Sequence, residues 1–225
     1  CCADACNPVA ATVNWSQFSK MFDKPDVRRC KDGPAFIAAH FGNVRNENRN
    51  LRHDANVTLL SAVVLDLDGD GGHHYRAQEL QRIIDDSGVT SLVHTTWSST
   101  VNQPRWLLIV PLIETITVEQ LPNAIASVQK LLNLTDRDSR CDNPSRIQFL
   151  PSCPPKRKNE YRVLNGFGAF FNGNCKFKSD KHLSKNTHTL NSVPTLTDVG
   201  TEFRGDFAEL GKTFTLDQLV GVFRN

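Results

Sequence analysis

The chain has no run of about 18 apolar residues, which excludes a membrane-spanning helix. Its longest apolar stretches, Ala62–Leu65 and Leu107–Leu112, are strand-sized. It has no CxxC pair and no signal peptide, and its seven cysteines are an odd number. These features argue against a disulfide framework and predict a reduced, cytoplasmic setting. Cys1-Cys2-x3-Cys6, and Cys141, Cys153 and Cys175 with His182, offer thiols that zinc takes, but neither set has a standard zinc spacing. The chain does not begin with Met, and reads as a fragment or a processed piece. Strong charge of one sign is also lacking. The formal net charge of the 225 residues is +2, too small to argue for nucleic acid by itself. Basic residues gather at Arg45–Arg52 and Lys156–Arg162, runs that usually mark solvated faces. Internal repeats are absent.

What is present is the composition of a globular protein, 39% hydrophobic and 22% charged, which supports a sizeable core. "SQFSKMF" is helix-like, "KDGPAFIAAHF" starts at a Gly-Pro turn, and "RNENRNLRHDANV" is a polar loop. Leu59–Leu67 is apolar up to Asp66, apart from Ser61, and predicts a strand buried on both faces. "RAQELQRIIDDSG" places Ala77, Leu80, Ile83 and Ile84 at helical spacing and ends on a capping Gly88. "VTSLVHTTW" and "RWLLIVPL" predict a strand pair. "TVEQLPNAIASVQKLL" predicts a second helix, with Thr117 and Gln120 as a capping box and Pro122 near its start. "SRIQFLP" and "EYRVLNGFGAFF" predict further strands. The order β-α-β-β-α-β is that of the split β-α-β unit, an antiparallel sheet with helices on one face and the other face free for a site. Residues 180–225 read as a linker with a short terminal helix at "LDQLVGVF". "GDFAELGKT", Gly205 to Thr213, is one residue too long for a phosphate-binding loop and has no buried strand before it.

The chemistry concentrates in "VVLDLDGDGG". Asp66, Asp68, Asp70 and Gly71 match the first positions of a calcium loop, but the closing position holds Ala77 instead of Glu, and a strand, not a helix, leads in. The same string resembles the first motif of haloacid-dehalogenase-like phosphatases, in which the first Asp is a nucleophile. Yet Asp70 stands where Thr or Val belongs, and the acidic pair Asp85–Asp86 comes too early in the chain. A third reading uses strand alternation. Residues i and i+2 share a face, so Asp66 and Asp68 can share divalent metal, with a third acid arriving from "DRDSRCDNPSRIQFLPS". Asp136, Asp138 and Asp142 are its candidates.

Three segments carry a family resemblance in the right order: "RHDANVTLLSAVVLDLDGD", "VHTTWSSTVNQPRWLLIVPL" and "DRDSRCDNPSRIQFLPSCPPKRKN". Over about residues 50–165 the chain resembles the archaeo-eukaryotic primase superfamily, specifically the primase-polymerase-like domains of plasmids, phages and other mobile elements. The resemblance implies an α+β fold with an RNA-recognition-motif-like (ferredoxin-like) antiparallel sheet core and an added amino-terminal α/β unit. It implies a catalytic domain over 1–180, with residues 1–58 as the amino-terminal unit and 59–180 as the metal-binding core, followed by a tail over 181–225. It assigns Asp66, Asp68 and Asp138 to Mg2+ or Mn2+, with Asp136 as runner-up, and Arg146, Ser98, Arg105 and Lys156 to the nucleotide. Arg157 and Lys158 are further candidates for triphosphate or template. The implied activity is primer synthesis or extension from nucleoside triphosphates on single-stranded DNA, with a helicase as a potential missing neighbour. The chain departs from the pattern at Leu107, where the family carries His or Arg, and at Ser99, which replaces a frequent His. Arg105 is the substitute at hand. Asp70, His73, His74 and His94 read as turn or packing residues. The rival readings are a replication-initiator module that binds DNA without catalysis, and an aspartyl-phosphate-forming phosphatase.

Overall fold

A computed structural model of the chain describes residues 6–69, 71–135, 137–173 and 215–222. Asp70, Asp136, Cys1, Cys2, Cys175, His182, the Gly205–Thr213 segment and most of the tail over 181–225 lie outside the described residues. The fold is mixed α+β, built around an antiparallel five-stranded sheet.

The centre of that sheet is β5 (Val57–Leu67), the long apolar strand that leads to the acids. It pairs antiparallel with β7 (Trp106–Ile116), which pairs antiparallel with β6 (Ser91–Thr95). Thus β5 and β6 run parallel with β7 between them, and α2 (Ala77–Ser87) makes the crossover. The outer positions are taken by β4 (Ala39–Phe41) beside β5 and β10 (Val163–Gly166) beside β6. The upstream segment therefore supplies an edge of the central sheet.

Both helices follow their sequence signals. The apolar stripe of α2 buries Leu80 and Ile84, and Gly88 ends the helix at φ 62°, in the left-handed region that glycine adopts without strain. A single 3-10 turn, Val118–Gln120, precedes α3 (Leu121–Leu131). The Thr117 N–H donates to Gln120 Oε1 at 2.8 Å, and Pro122 falls in the first turn, where its missing N–H costs nothing. Ile84, Ile125 and Val128 pack on Val63, Leu65 and Leu67 of β5 and on Leu108 and Val110 of β7. Truncating any of these leucines or isoleucines to Ala would cost about 2–5 kcal/mol.

The sequence pattern predicts a free opposite face, but that face is covered. Ala62, Leu92, Leu107 and Ile109 are covered by Phe18, Phe22 and Phe36, which come from the amino-terminal segment. Phe18 packs edge-on against Phe22 and Phe36 at 4.9 and 5.2 Å. Three aromatic side chains bury more apolar area than a free sheet face could leave to solvent without cost. Phe18 sits on α1 (Trp15–Lys20) and Phe36 on β3 (Ala35–Ile37). A second sheet holds β1 (Val9–Asn14), β11 (Thr215–Val222), β3 and β8 (Gln148–Phe149), in that order. A two-stranded parallel ladder joins β2 (Asp26–Val27) to β9 (Ser152–Cys153). Residues 215–222 thus form a strand, not the expected helix. Antiparallel partners on both sides satisfy its backbone, whereas an isolated helix of that length is marginal in water.

Candidate functional site

Strand alternation sets the site. On β5 the side chains of Val63, Leu65 and Leu67 enter the helix-covered core, so Ala62, Val64, Asp66 and Asp68 belong to the other face. The phenylalanine cluster covers the start of that face, and the acids lie past its edge. There a cleft is lined by Asp66 and Asp68 together with four cations, Lys31, Arg105, Arg140 and Arg146. Gly69 follows at φ 78°, and a Cβ at that position would lie 2.1 Å from the His74 ring. Only glycine lets the chain turn there while His74 stays in place.

The third acidic segment arrives as a 3-10 turn, Ser139–Asp142, capped by Asp138. It is tied to β5 twice through main chain: the Asp138 N–H donates to the Asp66 carbonyl at 2.8 Å, and the Asp66 N–H donates to Cys141 Sγ at 3.1 Å. The Asp138 carboxylate does not line the cleft. It is 4% exposed and accepts from the Arg140 N–H, from Arg140 Nε to both oxygens, and from Arg146 Nη2 at 3.1 Å. The same Arg146 nitrogen donates to Asp66 Oδ2 at 3.0 Å. Arg146 is aimed by the turn before it. Ser145 Oγ donates to Asp54 Oδ1 at 2.5 Å, and the Ser145 N–H donates to Asn143 Oδ1 at 2.9 Å. "RHDAN" and "DNPSR", far apart in sequence, make one scaffold.

Ser98 and Arg105 line the cleft from the loop between β6 and β7. Arg157 braces that loop, with one guanidinium nitrogen donating to the Ser99 carbonyl and another to the Trp97 carbonyl at 3.0 Å. It is thus committed to main chain. Lys156 is exposed on the 3-10 segment Pro155–Glu160 and does not line the cleft. Of the sequence candidates, the fold brings together Asp66, Asp68, Ser98, Arg105 and Arg146, keeps Asp138 behind Arg146, and leaves Lys156 outside.

Three further cleft residues were not singled out from sequence. Lys31 comes from the amino-terminal "RRCKDG", which carries no signal beyond its charge. Arg140 lies two residues past Asp138, where any surface arginine could stand. His94 was read as packing, but register puts it in the site. Asp66 pairs with Leu107, and Leu107 with His94, so the three form one row across the sheet.

Charge and burial oppose each other here. Burial pushes the Asp66 carboxyl up to about 6, against the pull of Arg146, with Asp68 and Asp138 adding repulsion. Asp138 feels the same burial, but hydrogen bonds from Arg140 and the charge of Arg146 hold it below the usual carboxylate range. Burial raises the Cys141 thiol to about 11, so it stays protonated beside Asp66. Burial lowers His94 to about 4, so its ring is neutral.

Among the described residues no group of three or more His, Cys, Asp or Glu side chains could hold an ion unaided. Asp66 and Asp68 are the cleft carboxylates that could hold a hard cation, with substrate phosphate and water completing its shell. The burial-raised Asp66, next to a second carboxylate, is a charge pair that a cation would relieve. Among the described residues no helix is long and apolar enough to cross a membrane.

No family model matches the chain, and no curated protein matches it. Among solved structures, the AEP domain of the cyanophage S-2L primase-polymerase is similar, at 17% identity and a TM-score of 0.39. The likeness covers 62% of this chain and 65% of that one.

Proposed function

We propose that this chain is a metal-dependent nucleotidyltransferase of the primase-polymerase type, which makes or extends primers on single-stranded DNA. One observation carries the reading: a carboxylate pair at the end of β5, Asp66 on the strand and Asp68 just past it, opens into a cleft walled by Lys31, Arg105, Arg140 and Arg146. Cations in excess around two acids suit a polyanion that arrives with divalent metal. An aspartyl-phosphate phosphatase needs Asp66 as an unencumbered nucleophile, and Arg146 is hydrogen-bonded to it.

In this reading Asp66 and Asp68 hold Mg2+ or Mn2+, which when bound would activate a 3′-hydroxyl and neutralise the departing pyrophosphate. The remaining work falls to the chain's own side chains. Arg146 presents a planar fork to phosphate oxygens. Asp138, which the resemblance names as a third metal ligand, aligns that fork through its bonds to Arg146 and Arg140. Lys31 and Arg105 add charge at the rim. Ser98 offers a hydroxyl donor from a loop that Arg157 keeps in shape. The template strand suits the wider groove, of about 720 Å³, on the far side of that loop, where Arg76 and Arg162 stand with Thr100, Asn102 and Asn159. Phosphate contacts by arginine and polar side chains are the common currency of such tracks.

The test is incorporation of labelled triphosphates on single-stranded DNA, with and without a primer, in Mn2+ and in Mg2+. Product that requires Asp66 and Asp68 supports the reading. No incorporation in either metal, with DNA binding intact, sinks it in favour of a binding-only initiator module.

A further inference from the structure

Of the three tryptophans, Trp15 and Trp106 pack into the two cores, and Trp97 joins neither. Trp97 is half-buried on the loop between β6 and β7 and lines the same cleft as Asp66, Asp68 and Arg146. Among the described residues its ring meets no other ring, and its indole N–H has no hydrogen-bond partner. That nitrogen is not one of the covered, unpaired atoms, so it reaches solvent. A large aromatic side chain kept out of the core and open to water is the kind that binding surfaces use.

The loop beneath the ring holds its shape without it. Arg157 donates to the Trp97 and Ser99 carbonyls, the Ser99 N–H donates to the Thr96 carbonyl at 3.0 Å, and the Arg105 N–H donates to Ser99 Oγ at 3.1 Å. None of these bonds uses the indole. A ring carried on a braced backbone loses little freedom when a ligand arrives.

The ring's chemistry and position select the part of a nucleotide that meets it. The face of an aromatic ring is negative and offers a phosphate nothing. The Thr96 N–H donates to the Arg105 carbonyl at 2.9 Å, which carries the β6–β7 ladder one residue past the strand ends. Trp97 therefore leaves the sheet on the β6 side, with β7 between it and the acids, two strand spacings or about 10 Å away. Phosphates held at the acids by Arg146 and Arg140 leave the outer part of the nucleotide to cover that distance. Phe149, half-buried and likewise outside both cores, gives the cleft a second apolar ring. We propose that Trp97 is the stacking platform for the base of the bound nucleoside triphosphate, and that it accepts all four bases, since each has a π-face. The inference rests on the nucleotidyltransferase reading.

The test is calorimetric binding to the whole chain in Mg2+, without template, of the four nucleoside triphosphates and of ribose 5-triphosphate, which lacks only the base. The wild type should bind each nucleoside triphosphate about 5- to 100-fold more tightly than ribose 5-triphosphate. Trp97→Ala should lose most of that ratio and keep its affinity for ribose 5-triphosphate within about twofold. Trp97→Phe, which keeps a smaller ring, should retain part of the ratio. Nucleoside triphosphates should quench tryptophan emission in the wild type, ribose 5-triphosphate should not, and Trp97→Phe should lose the quench although Trp15 and Trp106 remain. Equal affinity of the wild type for ligands with and without a base overturns the proposal before any variant is made. An equal loss for both ligands in Trp97→Ala also overturns it, because the ring would then serve the loop alone. So does an advantage confined to one base, or a quench that survives in Trp97→Phe. If the wild type binds neither nucleoside triphosphate nor ribose 5-triphosphate, the parent reading fails first and the proposal with it.

Discussion

A single nitrogen, Arg146 Nη2, lies 3.0 Å from Asp66 Oδ2 and 3.1 Å from Asp138 Oδ2. It joins a strand carboxylate at the cleft to a buried carboxylate behind it. Asp138 thereby serves Arg146 before it serves any cation, and the two roles make opposite predictions. Asp138→Asn removes the charge that holds Arg146 and Arg140. Folding stability should fall by about 3 kcal/mol, as for other broken buried pairs. Mn2+ affinity, read by paramagnetic resonance in the absence of nucleotide, should stay within about threefold of wild type while triphosphate affinity drops about tenfold. Loss of Mn2+ binding as deep as in Asp68→Asn would make Asp138 a ligand instead.

Asp66 should trade stability for activity. A folded-state value of about 6, raised by burial above the usual 3.8, means that ionising Asp66 works against the fold. Its contribution is present below pH 3.8 and is lost as pH rises through about 6. Near neutral pH, Asp66→Asn should therefore match or exceed the wild type in urea denaturation, by up to about 3 kcal/mol. Incorporation should fall at least 100-fold, about 2.7 kcal/mol of transition-state stabilisation. A variant both unstable and inactive would show that the Arg146 contact outweighs the burial of charge.

His94 should produce the opposite slope. Its folded value, lowered by burial from 6.5 to about 4, gives stability that is complete above 6.5 and is lost as pH falls toward 4. At about 1.4 kcal/mol per unit the loss is about 3 kcal/mol. Between pH 4 and 6 it runs against the Asp66 contribution, so the wild-type curve should be nearly flat there. The stability of the wild type relative to His94→Phe should fall by about 3 kcal/mol as pH drops from 6.5 to 4. A difference that is constant with pH would mean that His94 titrates normally in the folded chain.

Arg157 and Lys156 are neighbours with different expected phenotypes. Arg157 gives charge-assisted bonds to the Ser99 and Trp97 carbonyls, each worth about 1.5–3 kcal/mol. Arg157→Ala should loosen the loop that carries Ser98 and Arg105 and raise the KM for nucleotide about tenfold, with a smaller change in kcat. Lys156→Ala should leave nucleotide affinity within about twofold, because the exposed ammonium stands outside the cleft. Steady-state kinetics on the two single variants separates them.

Much of this was legible in one dimension. The apolar run before Asp66 made β5, its alternation put Asp66 and Asp68 on one face, and the 3.6-residue stripes with Gly88 and Pro122 marked α2 and α3. Each of these is decided by residues within a turn or a strand of one another, where periodicity and backbone geometry act directly. The nearness of Arg146 to the acids was legible through its motif. Other features were not, because each depends on pairing between distant segments. The register between β5, β7 and β6 puts His94 in the row of Asp66, and a one-residue slip would have turned it to the other face. Lys31 reaches the cleft only because the amino-terminal segment folds across the sheet on Phe18, Phe22 and Phe36. Residues 215–222 are a strand because β1 and β3 offer hydrogen bonds on both sides. By itself the sequence determined which elements form and which face of β5 carries the acids, since those follow from local geometry. Only the tertiary structure decided that Asp138 grips arginine and that His94 faces the cleft, since cross-strand register and long-range hydrogen bonds select among contacts that local geometry leaves equal.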